Sequence, residues 1–382
     1  MKLSTDRILT SHVGSLPRPQ YVVDMLFAQD NDELESQEAF DDVMARAVNE
    51  VVQKQKEIGV DVVSDGEMSK ISYATYIRHR LTGFKIGESQ RATPKDLDDY
   101  PAFKDRIAKA GATPKYHRPI CCGPIEVKDL SALEKDIENL KSAADVAGAT
   151  EAFMNAASPG VIAVFQPNEY YDTDEDYLQA LAEAMRQEYE MVVNAGLLLQ
   201  IDCPDLAMGR HIRYRDVDDA TFVRHAERQV EALNYALENV PADRVRMHLC
   251  WGNYEGPHHH DIELEKIVDV VLKAKPSAIQ FESANPRHAH EWAVWANADI
   301  PDNKVLMPGV LDSTSNFIEH PELIAQRIEQ YTKIVGRERV IAGTDCGFGT
   351  FAGFGAVLPD IAYAKLTALT EGAEIASKRL WS

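Results

Sequence analysis

The stretch "YLQALAEAMRQEYEMVVNAGLLLQIDCPD", residues 177–205, contains one complete passage from helix to strand. Apolar residues recur at helical spacing as far as Ala195, Gly196 supplies a stop, and an apolar run then closes on Asp202 and Cys203. A period near 3.6, a glycine and a short apolar run describe a helix that feeds a buried strand. The same unit recurs along the chain. Strand candidates are "RILTSHVG" (7–14), "VDVVSDG" (60–66), "EAFMNAA" (151–157), "LLLQID" (197–202), "VRMHLC" (245–250), "AIQFES" (278–283), "KVLMPGVLD" (304–312) and "RVIAGTDC" (339–346). Helical patterns such as "EAFDDVMARAVNEVVQKQKEIG" (38–59) separate them.

Eight strands joined by crossover helices predict an α/β fold, a (β/α)8 TIM barrel, with a doubly wound parallel sheet as the alternative. The period is regular from residue 197 onward. The region from about 70 to 150, with "KDLDDYPAFKDR" (95–106) and "GATPKYHRPICCGPIE" (111–126), predicts an insertion after the second strand carrying a helix and a hairpin. No low-complexity linker divides the chain, so residues 1–382 are expected to form a single barrel domain.

Composition narrows the class of function. A formal charge of -21 disfavours a nucleic-acid or anionic-membrane partner, since both select basic surfaces. The start "MKLSTDRILTSH" has no apolar signal core, and no run nears the ~18 apolar residues of a membrane span. Five scattered cysteines read as free thiols or metal ligands, and the expected setting is cytoplasmic.

A barrel gathers reactive side chains at the carboxyl ends of its strands. Those ends here carry His12 and Ser15, Asp65 and Glu67, Asn155 and Ser158, Asp202 and Cys203, His248 and Cys250, Glu282, Asp312, and Asp345 and Cys346. His248 and Cys250 stand at i and i+2, on one face of a strand. Cys250 precedes Glu282, and Glu282 precedes Cys346, by one and two further strand-helix units. His248, Cys250, Glu282 and Cys346 therefore converge on one rim, and two thiolates, an imidazole and a carboxylate suit Zn2+. The pair His248-x-Cys250 alone would more often be two satisfied core residues; its partners at other strand ends decide for a metal.

The motifs "MHLC" (247–250), "FES" (281–283) and "TDCG" (344–347) resemble, in order and character, the zinc-ligand motifs of cobalamin-independent methionine synthases. "VGSLPRP" (13–19), "SDGE" (64–67) and "LQIDCPDLAM" (199–208) resemble that family's thiol-amino-acid-binding segments. The resemblance covers essentially the whole chain and only the catalytic C-terminal barrel of the longer enzymes. It implies His248, Cys250, Glu282 and Cys346 as zinc ligands, and Ser15, Glu67 and Asp202 as the contacts for the amino and carboxylate groups of homocysteine. Short relatives include single-barrel methyltransferases and epoxyalkane:coenzyme M transferase.

This sequence departs from the family at three places. The glutamate that follows the aspartate of the fourth strand is Cys203, the seventh-strand histidine is Thr314, and the aromatic folate-contacting segment has no counterpart in "VFQPNEYY" (164–171). Threonine does no acid–base work near neutral pH, so His12, Asp65 and Asp312 become the candidates for moving the proton.

The expected function is zinc-dependent methyl transfer to a thiolate such as homocysteine, with 5-methyltetrahydrofolate one candidate donor. The alternative is epoxide opening by a zinc-held coenzyme M thiolate, and a non-catalytic metal or thiol sensor is the third reading. Glu67 and Asp202 favour a thiol that carries an ammonium. The partners are then a small thiol and a methyl or epoxide donor, and the oligomeric state is open. Other features have plainer readings: "GPHHHDIE" (256–263) as a loop entering a helix capped by Asp261, Cys121 and Cys122 as apolar filler, and Arg18, Arg210 and Arg213 as anion contacts or structural pairs.

Overall fold

A computed structural model describes residues 1–87, 93–109 and 118–382. The start of the 111–126 segment lies outside these residues. Among the described residues ten strands follow in chain order: β1 (Leu9–Thr10), β2 (Val62–Ser64), β3 (Phe84–Gly87), β4 (Arg118–Cys121), β5 (Glu151–Ala157), β6 (Leu198–Asp202), β7 (Val245–Leu249), β8 (Ala278–Phe281), β9 (Val305–Pro308) and β10 (Ile341–Ala342). Each of the eight expected strands is present, and β3 with β4 forms an antiparallel hairpin in the insertion. The helix of the opening stretch runs Asp174–Asn194, its first turn capped by Thr173, whose hydroxyl accepts from the Asp176 amide at 3.0 Å.

The continuous ladder is a curled six-stranded parallel sheet, β2-β5-β6-β7-β8-β9, with β1 and β10 as a separate parallel pair. This is more open than the closed eight-stranded ladder expected from the sequence. The cause lies in the backbone after β1. The His12 carbonyl accepts from Arg246 Nη2 at 2.6 Å, the Val13 carbonyl from Asn155 Nδ2 at 2.8 Å, and the Val13 amide donates to Thr344 Oγ1 at 3.2 Å. Side chains thus take the hydrogen-bonding groups that a longer strand would give to its neighbours. The two pieces still touch at both seams. Isolated parallel bridges join Leu306 to Val340 and Gly309 to Gly343, and the Asp61 amide donates to the Thr10 carbonyl at 3.2 Å.

Alternate strand residues face inward and stack in layers. The lowest layer is apolar, with Leu9, Ala278, Val305, Met307 and Ile341 in one cluster and Val62, Phe153 and Leu198 in another. Gln200, Arg246 and Gln280 form the next, all buried. Register then places Asp202 beside His248 and His248 beside Gln280. The main apolar core lies between sheet and helices, where the helix Ser131–Ala147 packs on Gln37–Ile58. That helix is the crossover into β5, so the insertion proper is shorter than the 70–150 expected. Among the described residues no helix is long and apolar enough to cross a membrane.

Candidate metal centre

His248, Cys250 and Cys346 meet at the carboxyl ends of β7 and β10, all three buried, with donor atoms within 4.8 Å of one another. Strand parity delivers His248 and Cys250 to one side, and the turn after β10 brings Cys346 Sγ to 3.0 Å from Cys250 Sγ. The Gly252 amide donates to Cys250 Sγ at 3.2 Å. His248 Nδ1 lies 3.3 Å from Asp202 Oδ1, so a carboxylate orients the ring. Burial pushes the Cys346 thiol well above its ordinary range, and the adjoining Cys250 and Glu282 push it further. The hydrogen bond with Cys346 acts to lower the Cys250 thiol, but burial and the Glu282 charge leave it at about 11. Two sulfurs of depressed acidity, an imidazole and a nearby carboxylate form a donor set that a divalent cation would satisfy.

Glu282 stands at the edge of this cluster. Its Oε1 is 3.6 Å from Cys346 Sγ and accepts from the Trp251 amide at 2.7 Å, while Oε2 accepts from Asn285 Nδ2 at 2.7 Å. It is not among the three residues whose donors are all mutually within 4.8 Å.

The cluster lines a cavity of about 460 Å3 that also exposes Ser15, Glu67 and Asp202. Ser15 is fixed by a close turn: the Phe348 amide donates to its carbonyl at 2.9 Å. The preceding Gly14 has φ +127, and a Cβ there would fall 2.1 Å from Asn155 Oδ1, so only glycine fits. Glu67 itself has φ +55. Burial and then the Asp202 charge raise its carboxyl to about 8. Asp202 is bonded by Asn155 Nδ2 at 3.0 Å and Gln200 Nε2 at 2.9 Å. Two carboxylates face one cavity, and Glu67 Oε2 accepts no hydrogen bond although Arg18 lies 4.0 Å away, so the pair can receive an ammonium group.

His12, Asp65 and Asp312 do not line this cavity. His12 accepts the Gly14 amide on Nδ1 at 3.1 Å and meets Gln55 Oε1 through Nε2 at 2.7 Å, and burial lowers its pKa to about 4. Asp65 Oδ1 accepts the Glu67 amide at 2.9 Å. Asp312 accepts the amides of Thr314 and Ser315, each at 2.9 Å, and Thr314 Oγ1 at 2.8 Å. Burial works to raise the Asp312 carboxyl, yet these bonds hold it below the ordinary carboxylate range.

One wall of the cavity was not foreseen. The 3-10 turn Lys95–Asp98 and the helix Pro101–Lys109 contribute Leu97 and Ile107 to a lining that also includes Tyr73, Phe351 and Phe354. Buried Asp96 docks this lid by accepting the Tyr254 hydroxyl at 2.7 Å and the His258 amide at 2.8 Å. No local pattern in the sequence announces the pairing, although Tyr254 follows Cys250 by only four residues.

The other groups singled out are placed as follows. The Arg18 side chain is buried, donates to the Glu67 carbonyl at 2.7 Å and lies 4.0 Å from the Glu67 carboxylate; Arg210 pairs with Asp219 at 2.8 Å and Arg213 with Asp174 at 3.4 Å. Cys121 is buried but Cys122 is exposed, so only the first is apolar filler. Asp261 does not cap the helix Leu264–Leu272, whose N-cap is Glu263. It sits instead 2.8 Å from His211, 2.8 Å from His258 and 3.1 Å from His288.

Residues 8–95 and 160–358 match the family model described as cobalamin-independent synthase, catalytic domain. The unmatched stretch between them contains most of the insertion. A methionine synthase of Saccharolobus solfataricus is 27% identical over 379 residues, covering 97% of this chain and 95% of that protein. One of Sulfolobus acidocaldarius is 25% identical over 374 residues, covering 97% and 93%. Among solved structures, a B12-independent methionine synthase from a Shewanella species, in complex with selenomethionine, aligns with TM-score 0.71 at 19% identity, covering 98% of this chain and 99% of that one. With the family model matched over most of its length, the chain belongs to the family of cobalamin-independent synthase catalytic domains.

Proposed function

We propose that this protein is a zinc-dependent thiol methyltransferase acting on a small amino thiol such as homocysteine. The observation that carries this reading is the shared cavity: His248, Cys250 and Cys346 at one side, Glu67 and Asp202 at the other. His248, Cys250 and Cys346 would hold the ion, with Glu282 as fourth ligand after a short movement of its carboxylate. Zinc, when bound, lowers the pKa of a coordinated thiol, so the substrate sulfur meets the donor as a thiolate.

The remaining roles fall to the chain's own side chains. Glu67 and Asp202 hold the substrate ammonium, and Ser15 with the turn around it holds the carboxylate. Asp202 also bridges the two halves of the site, since its other contact orients His248. His12, Asp65 and Asp312 act by positioning: Asp65 fixes Glu67, His12 fixes the Gly14 turn, and Asp312 fixes the loop after β9. The apolar lid excludes water and receives the methyl donor. The paired carboxylates disfavour a sulfonate thiol, which brings no cation for them to hold. Methylfolate is one candidate donor.

The contacts at the two seams also support reading all eight parallel strands as one closed barrel, and the chain of 382 residues as a single catalytic domain with residues 95–109 as its lid. Five unpaired cysteines and the acidic surface fit a cytoplasmic protein whose partners are small molecules.

The test is a matrix of thiols (homocysteine, cysteine, coenzyme M, glutathione) against methylfolate, other methyl donors and small epoxides, read as thioether product. Methylated homocysteine is expected. Turnover of coenzyme M with an epoxide, and none of homocysteine, would replace this reading with epoxide opening.

A further inference from the structure

Outside the cavity, a second cluster of metal-binding side chains joins segments far apart in the chain. Asp99 follows the lid turn Lys95–Asp98, and His259 with His260 lies in the loop after β7. Nε2 of His259 is 2.8 Å, and Nε2 of His260 2.7 Å, from the same oxygen, Oδ2 of Asp99. The three donor atoms all lie within 4.8 Å of one another.

Two features show that this convergence is built rather than a chance of long side chains. Neighbouring residues point about 100° apart on a helix and to opposite faces of a strand. Here the loop backbone, with His258 at φ +53, turns both rings to one side, their centroids 4.3 Å apart. The segment carrying Asp99 is also fixed independently of the rings, because buried Asp96 three residues earlier is bonded to Tyr254 and His258. Tyr100 then packs edge-on against His259 at 5.5 Å.

We propose that Asp99, His259 and His260 form a second metal site, which takes a borderline divalent first-row ion such as Zn2+ and clips the lid to the loop after β7. Two imidazoles and a carboxylate suit such ions, and the exposed face leaves the remaining positions to water. The ion takes the place of the two hydrogen bonds. Each ring then carries its hydrogen on Nδ1 and presents the Nε2 lone pair to the ion. The site is separate from the cysteine cluster in donor chemistry: it offers nitrogen and oxygen only.

Tag-free protein is equilibrated with zinc and the bound metal counted, in wild type and in the His259→Ala/His260→Ala variant. Wild type is expected to hold one more zinc per chain than the variant; equal counts would overturn the proposal. A difference in counts reads this site alone, whether or not the cysteine cluster holds metal. Substitution with Co2+ separates the two further. The extra ion should add weak visible bands without the intense near-ultraviolet sulfur-to-cobalt absorption, and sulfur absorption from that ion would assign it elsewhere. Asp99→Asn, which keeps both rings, should weaken the second equivalent by roughly tenfold or more. Unchanged affinity there would remove the carboxylate from the site and the clip with it.

Discussion

Glu67 faces Asp202 across the cavity with Oε2 lacking a hydrogen-bond partner, and it is pushed up to about 8 from an ordinary 4.5. Its neutral form is therefore favoured in the ligand-free fold, so this group makes the protein less stable as pH rises from about 4.5 to about 8. An incoming ammonium reverses that preference and expels the proton. Affinity for an amino thiol should then rise with pH up to about 8 and level off beyond it. Glu67→Gln should remove this rise and raise KM for the amino thiol by about 10–100-fold, the worth of a charge-assisted contact. Thiols without an amine should be little affected. The measurement is KM against pH for both proteins; an equal slope in the variant would take Glu67 out of the ammonium site.

Between strands, Asp345 does for Glu282 what Asp202 does for His248. Its Oδ1 accepts the amides of Ser283 and Ala284, and its Oδ2 that of Asn285, all at 2.8 Å, which fixes the turn leaving β8. Asp345→Ala would leave two buried amides and a half-buried one unpaired and should cost about 3 kcal/mol in urea unfolding while weakening metal retention. The lid offers a milder case. Tyr254→Phe deletes the hydroxyl that meets Asp96 and should cost about 1–2 kcal/mol, read as faster amide exchange over residues 93–109 with the sheet unchanged. These elements also mark what the sequence discloses. The strands were legible because each is an apolar run closed by polar residues, and the parity of His248 and Cys250 survives any small error in strand ends. The shortness of β1 was not legible, since it depends on Arg246, Asn155 and Thr344 reaching in from elsewhere. Nor was the lid, because Asp96 and Tyr254 are 158 residues apart and neither belongs to a periodic pattern.

For the whole molecule, the family match breaks at residue 95, where the lid begins, while the cysteine cluster lies within the matched residues. Strand order places the cysteine cluster, whereas the lid wall depends on a contact between distant segments, Asp96 with Tyr254. The core between sheet and helices does not involve the cysteine cluster, which predicts how the protein responds to metal removal. Stripped of metal by a chelator, it should stay folded and unfold cooperatively, but at a lower Tm. An ion present at about 1,000 times its Kd stabilises a fold by ~4 kcal/mol, and that much should return when zinc is added back. Cys250→Ala and Cys346→Ala should each bind zinc far more weakly and lose most of this response, while keeping native far-ultraviolet circular dichroism. Acidification should release the metal as the ligands take up protons, so the zinc-dependent part of Tm shrinks as pH falls. A Tm insensitive to zinc in the wild type would count against the cluster as a metal centre. The same loss of structure in both cysteine variants would instead make those residues part of the core.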